Sequence, residues 1–234
     1  MCRHLVNILC ICIFTSTVYA ADAVSSWLQH MGCDQLLASY YEEQLEHGNQ
    51  KTKLRAATEL ASLYAILLSR AEGGSDAGTL DRAAALLGRM PEAGTVDLRI
   101  QLLRAGYLSS EQMLEKYRLR FVDKDEADLA ALQLEEIEKS LGRLRETFLR
   151  KTRTSKSANE QTARRLGLAT SLLGWTKYYR AWYAGDQQLA RDASVLFASM
   201  IQGDQPTLQR VSLDLRSFDY GARAILGIAL CKDV

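Results

Sequence analysis

Between Ala130 and Phe148 the apolar residues Ala130, Leu134, Ile137, Leu141, Leu144 and Phe148 recur at intervals of 4, 3, 4, 3 and 4. An α-helix turns once every 3.6 residues, so this spacing lays one apolar seam along a rod. A strand, with its period of 2, does not produce it. The spacing predicts a helix over Asp125 to Arg150, roughly 39 Å long at 1.5 Å per residue. Asp125, Glu126, Asp128, Glu135 and Glu136 lie in its first half, and Arg143, Arg145, Arg150 and Lys151 near its end. Acid first and base last suits the helix dipole, at about 0.3–1 kcal/mol per charge.

The same period runs through most of the chain. Leu168, Leu172, Trp175, Tyr179 and Trp182 repeat at 4, 3, 4 and 3 and predict a helix from about Ala158 to Ala184. Thr152 to Ser157 reads as a polar linker before it, so the two long rods with matching seams form an antiparallel hairpin over residues 125–184. Further helices are expected at Asp34–Glu46, Gln50–Arg70, Leu80–Met90, Val96–Ala105 (closed by Gly106), Ser109–Arg120 (with Ser109 and Ser110 as N-caps), Gln187–Ile201 and Phe218–Lys232. In Gln50–Arg70 one stripe holds Leu54, Ala57, Ala61, Tyr64 and Leu68, and a second holds Leu60, Leu63 and Leu67. A surface helix needs one apolar stripe, and two stripes require neighbours on two sides. Only two prolines occur in 234 residues, which leaves long helices unbroken. The expected class is all-α, with stacked antiparallel helix pairs in one helical-repeat domain over residues 21–234.

Helices in successive pairs of roughly 34 to 47 residues are the mark of an α-solenoid. Tyr183-Ala184-Gly185-Asp186 is followed by Ala190, and Gly78 by Ala83 at the same spacing; Leu173-Gly174 lies one helix earlier. On these residues the chain resembles tetratricopeptide-type repeats. Ala181 stands where that pattern has an aromatic, and Lys53 stands where it has a small residue after Gly48. The resemblance implies a protein-interaction scaffold with a groove for a partner segment.

The amino-terminal residues read as an export signal. Arg3 gives a positive start, Leu5 to Phe14 is a short apolar run, and Val18 and Ala20 hold the small-residue positions before a cleavage point. The run falls short of the roughly 20 residues of a membrane span. A secreted or periplasmic protein, released after Ala20 without stable membrane insertion, is the expectation. Removing the first 20 of 234 residues leaves 214, and since Arg3 is the only charged residue lost from 29 basic and 28 acidic ones, charge balances. Balanced charge gives no electrostatic case for nucleic acid. Cys33 and Cys231 are the two cysteines left, too few for a disulfide scaffold.

No pattern in the chain specifies catalysis. Only His30 and His47 remain after the signal, and His30 with Cys33 supplies two metal ligands where a site needs three or four. The glycine-rich Gly73–Gly78 has no following Lys-Ser or Lys-Thr, so it lacks a phosphate cradle. The expectation is therefore no catalytic residue, no cofactor and no metal. Two features point to a protein partner instead. Trp175, Tyr178, Tyr179, Trp182 and Tyr183 line one helix, with Trp175, Tyr179 and Trp182 expected inside and Tyr178 and Tyr183 on a groove edge. The basic segment Arg143–Arg165 includes Arg150, Lys151 and Arg153 and would suit an acidic partner or an anionic wall polymer. At the carboxyl end Ala222 to Cys231 is apolar on nearly every face, which predicts a helix that tucks inward, pairs with a second copy of the chain, or belongs to a longer array. The alternative to a scaffold is a helical part of a secreted enzyme acting on cell-wall glycan.

Overall fold

The computed structural model describes residues 23–70, 96–154, 160–202 and 219–234, and among them every regular element is an α-helix. A helix over residues 23–30 (α1) is followed by α2 (Asp34–His47), α3 (Gln50–Arg70), α4 (Val96–Arg118), α5 (Lys124–Thr154), α6 (Glu160–Ala184), α7 (Gln187–Gln202) and α8 (Asp219–Leu230). The expected signal, the helix Leu80–Met90, and the Gly73–Gly78 and Gly78-to-Ala83 motifs lie outside the described residues. The chain divides into two compact units, and the boundary between Leu63 and Tyr64 falls inside α3.

In the first unit the turns are set by local chemistry. α1 ends at Gly32, whose φ of +66° is reached cheaply only without a Cβ. Asn49 caps α3, its Oδ1 accepting from the Thr52 amide at 3.0 Å and the Thr52 hydroxyl at 3.1 Å. Leu37, Tyr41 and Leu45 of α2 and Ala57, Leu60, Ala61 and Leu63 of α3 are buried, so both stripes of α3 are covered.

The second unit shows how helix pairs stack. α4 packs on α5 and α6, α5 on α6, α6 on α7 and α8, and α7 on α8. α4, α6 and α8 thereby form one row, with α5 and α7 on the other side. The seam of α5 is buried as its spacing predicts, from Ala130 through Leu134, Ile137 and Leu141 to Phe148, with Leu144 partly buried. α6 is covered on more than one face: Leu166, Ala169, Thr170, Leu173, Trp175 and Thr176 are all buried. The Thr170 and Thr176 hydroxyls donate to the carbonyls of Leu166 and Leu172 at 2.7 and 2.8 Å, which satisfies them without an outside partner.

One boundary differs from the sequence expectation. Val96–Ala105 and Ser109–Arg120 are a single helix, α4, running through Gly106. A Cβ at Gly106 would stand 3.2 Å from Ile137 Cδ1, so this glycine serves close approach of α5. Ser109 and Ser110 are buried mid-helix, and Ser110 Oγ donates sideways to Gln133 Oε1 at 2.8 Å. What read as a stop and a cap are both packing features. The first three residues of the expected polar linker, Thr152 to Thr154, are helical and belong to α5.

The Gly185 turn is of the kind that its sequence implies. Gly185 takes φ +66°, and Asp186 Oδ1 accepts from the amides of Gln188 and Leu189 at 2.9 and 3.0 Å, capping α7. Ala190 is buried where α7 closes on α6. Gly174 and Gly227 both face the Phe197 ring, where an added Cβ would stand 2.7 and 2.5 Å from ring carbons. A fully buried ring is thus held between two glycines, binding α6, α7 and α8 together.

Candidate functional site

The aromatic run of α6 forms the middle of a ring cluster that reaches α4 and α7. Trp175 meets Tyr178 edge-on with centroids 5.7 Å apart and Phe197 of α7 at 5.1 Å. Tyr178 and Tyr179 stand 5.2 Å apart, and Tyr179 lies 6.3 Å from Tyr107 of α4. Trp175 and Tyr179 are buried as expected, whereas Trp182 is only partly covered, like Tyr178 and Tyr183. Trp182 still packs against the core, but at its rim.

A group of carboxylates and phenols sits under these rings. The Tyr179 hydroxyl lies 3.0 Å from Glu111 Oε1 and 3.2 Å from Glu115 Oε1, so its one proton is shared between them. Burial raises the Glu111 pKa above the ordinary carboxylate value; the nearby Tyr107 and Tyr179 hydroxyls and the charge of Arg223 oppose the shift without cancelling it. Tyr107 is 2 % exposed. Its hydroxyl stands beside Glu111, near enough for each to shift the other's protonation, but in no normal hydrogen-bond geometry. Glu115 uses its second oxygen to pair with Arg118 at 2.7 Å. From α8, the Arg223 guanidinium lies 5.4 Å from the Trp175 ring centroid.

The chain, compared with models of protein families, with curated proteins and with solved structures, matches none of them. The site is therefore read from its own chemistry.

The residues expected to hold a partner are separated by the fold. Tyr183 is partly buried; its hydroxyl donates to Asp128 of α5 at 2.6 Å and its ring meets Tyr117 of α4 at 5.6 Å. Tyr178 borders the carboxylate group. Arg150 and Lys151 are exposed near the far end of α5, and the side chain of Arg153 lies outside the described residues. Because α5 and α6 run antiparallel, about 27 Å of α6 separates its start from Tyr178. The aromatic and basic features belong to opposite ends of the hairpin. Within the basic segment, Arg165 makes a two-pronged pair with Asp97 at 2.6 and 2.5 Å, and Arg164 pairs with Glu160 at 2.6 Å. Burial depresses the Arg145 pKa.

Sequence reasoning did not find Glu111, Glu115, Tyr107 or Arg223. Glu111 was masked by its place in Ser109-Ser110-Glu111-Gln112, which reads as a helix start. The available signal was the spacing of Tyr107, Glu111, Glu115 and Arg118, which puts one polar stripe along a single helix.

Elsewhere, Lys177 joins Glu138 at 2.9 Å and Asp192 at 3.4 Å, and Arg180 pairs with Glu138 and Glu135, an ion-pair group across α5, α6 and α7. Cys33 and Cys231 are both free thiols, and burial pushes Cys231 up to about 11. Among the described residues no His, Cys, Asp and Glu gather as a metal site, and no helix is long and apolar enough to cross a membrane.

Proposed function

We propose that this chain is an exported, non-catalytic scaffold that holds segments of partner proteins against its row of helices α4, α6 and α8. The observation that carries the reading is the aromatic–carboxylate cluster spanning α4, α6 and α8, with Tyr178 and Arg223 partly or fully exposed at its surface. Rigid rings with polar tips give contact area at low entropic cost, which suits recognition. The tetratricopeptide-like character is part of this proposal; the Gly185 turn and the close seating of Ala190 support it. Export rests on the leader-like residues 1–20.

A peptide library presented to the chain should return a defined set of sequences. Tyr178→Ala should then weaken their binding about tenfold, or 1.4 kcal/mol. A library that returns nothing sinks the scaffold reading. Mass spectrometry of the exported protein should find Ala21 at its amino terminus.

One observation favours a second reading, the glycan-active enzyme. Glu111 has a raised pKa and a carboxylate neighbour, the pairing that glycosidic cleavage uses. Against it, the Tyr179 hydroxyl occupies the space between the two acids. Release of sugar from cell-wall material that disappears in Glu111→Gln would decide for the enzyme.

A further inference from the structure

Helix packing alone leaves the α4–α6–α8 cluster incomplete. Glu111 accepts from Tyr179 at 3.0 Å, and among the described residues it forms no ion pair. Beside it, the Tyr107 hydroxyl is buried without a hydrogen-bond partner. A half-buried carboxylate with one donor gains from a second, and a buried phenol oxygen without any partner is costly. A phenyl or methyl group entering here would satisfy neither oxygen. An acidic group would meet Glu111 and Glu115. A guanidinium or ammonium group satisfies both oxygens and can lie against the ring faces.

The chain already carries a cation of this type nearby. Arg223 is exposed and its guanidinium rests over Trp175 at 5.4 Å, yet it makes no ion pair with either glutamate among the described residues. Its charge bears on Glu111 without a bond to it. Glu115 is half-committed, since Arg118 takes one of its oxygens at 2.7 Å.

We propose that the side-chain cluster of Glu111, Tyr107, Trp175 and Tyr178 receives a basic side chain, arginine or lysine, from a partner segment, and that Arg223 stands over the same ring as an intramolecular competitor. This rests on the scaffold reading and names the chemistry of its partner. The incoming N–H groups bond Glu111 and the Tyr107 oxygen, and the apolar stem lies along Tyr178. Arg223 must swing aside, which its exposure permits.

The test uses the full chain and four fluorescein-labelled nonapeptides of glycine and serine, three carrying a central triplet of arginine, lysine or glutamate and one uncharged. Binding is read by fluorescence anisotropy at constant salt. Arginine and lysine peptides should bind, and the other two should not. Arg223→Ala should tighten the basic peptides several-fold. Glu111→Gln, which keeps the acceptor for Tyr179, should weaken them at least tenfold, with circular dichroism checking its fold. Equal binding by Glu111→Gln and the parent overturns the proposal, as does weaker binding by Arg223→Ala. Should Glu111→Gln fail to fold, the surface variant Arg223→Ala decides alone: tightening supports the site, and no change or weakening overturns it. If all four peptides bind alike, the basic-side-chain site falls while the scaffold reading stands. If no peptide binds and the library also returns nothing, both fall.

Discussion

Tyr183 shows how a side chain that reads as a contact for a partner also takes part in the fold. Its ring packs on Tyr117 and its hydroxyl donates to the Asp128 carboxylate at 2.6 Å. Tyr183→Phe keeps the ring and deletes the bond, so it should cost about 1.5 kcal/mol, a typical value for a hydrogen bond to a charged group. Urea unfolding checks this, and an unchanged midpoint would free Tyr183 for a partner. Glu111 makes a prediction about pH. Its folded pKa lies above the ordinary carboxylate value, so the fold binds its proton more tightly than the unfolded chain does. That contribution is fully present below the unfolded value, about 4.3, and is lost as pH rises through the folded one. Glu111→Gln copies the protonated form. It should therefore melt above the parent at pH 7–8, with the gap closing as pH falls towards 4. A gap that widens in acid would mean that the ionised form is the stabilising one. The site was hidden in the sequence because it depends on which face of α4 is covered, and glutamates one turn apart are ordinary on a solvated helix.

At the scale of elements, glycines decide how closely neighbouring helices approach. Phe197 is fully buried between Gly174 of α6 and Gly227 of α8. A methyl group at position 227 would stand 2.5 Å from Phe197 Cε2, and the ring cannot retreat because Gly174 backs its other edge. Gly227→Ala should destabilise by about 1–3 kcal/mol, despite the better helix propensity of Ala. Gly106→Ala presents the contrast. Its Cβ would meet Ile137 Cδ1 at 3.2 Å, the free end of a flexible side chain, so the expected change is near zero and thermal melting should separate the two variants clearly. The seam of α5 and the turn at Gly185 were legible in advance, because period and turn chemistry are local. The continuity of α4 through Gly106 was not, because a glycine that ends a helix and one that admits a neighbour are the same letter.

For the molecule as a whole, α8 is the informative element. Ala224 and Gly227 seat it on α6 and α7, while Ile225 and Leu226 are 61 % and 53 % exposed. The apolar carboxyl end tucks inward on one face and leaves the other uncovered. Replacing both exposed residues with Lys should change stability by no more than about 0.5 kcal/mol, since neither is buried. Light scattering at high concentration should show the double variant shifted towards monomer relative to the parent. Identical masses would show that copies do not pair through this face.

The repeat of apolar positions, taken alone, determined that this chain is all-α, where its long rods lie, and that α3 needs neighbours on two sides. These follow from backbone geometry, which acts within a few residues. Only the tertiary structure decided that α6 is buried on several faces, that Trp182 stays partly open, and that Glu111, Tyr107, Tyr179 and Arg223 meet. Those four residues span more than a hundred positions and come from three helices, and their chemistry arises from burial and mutual distance, quantities that no local pattern encodes.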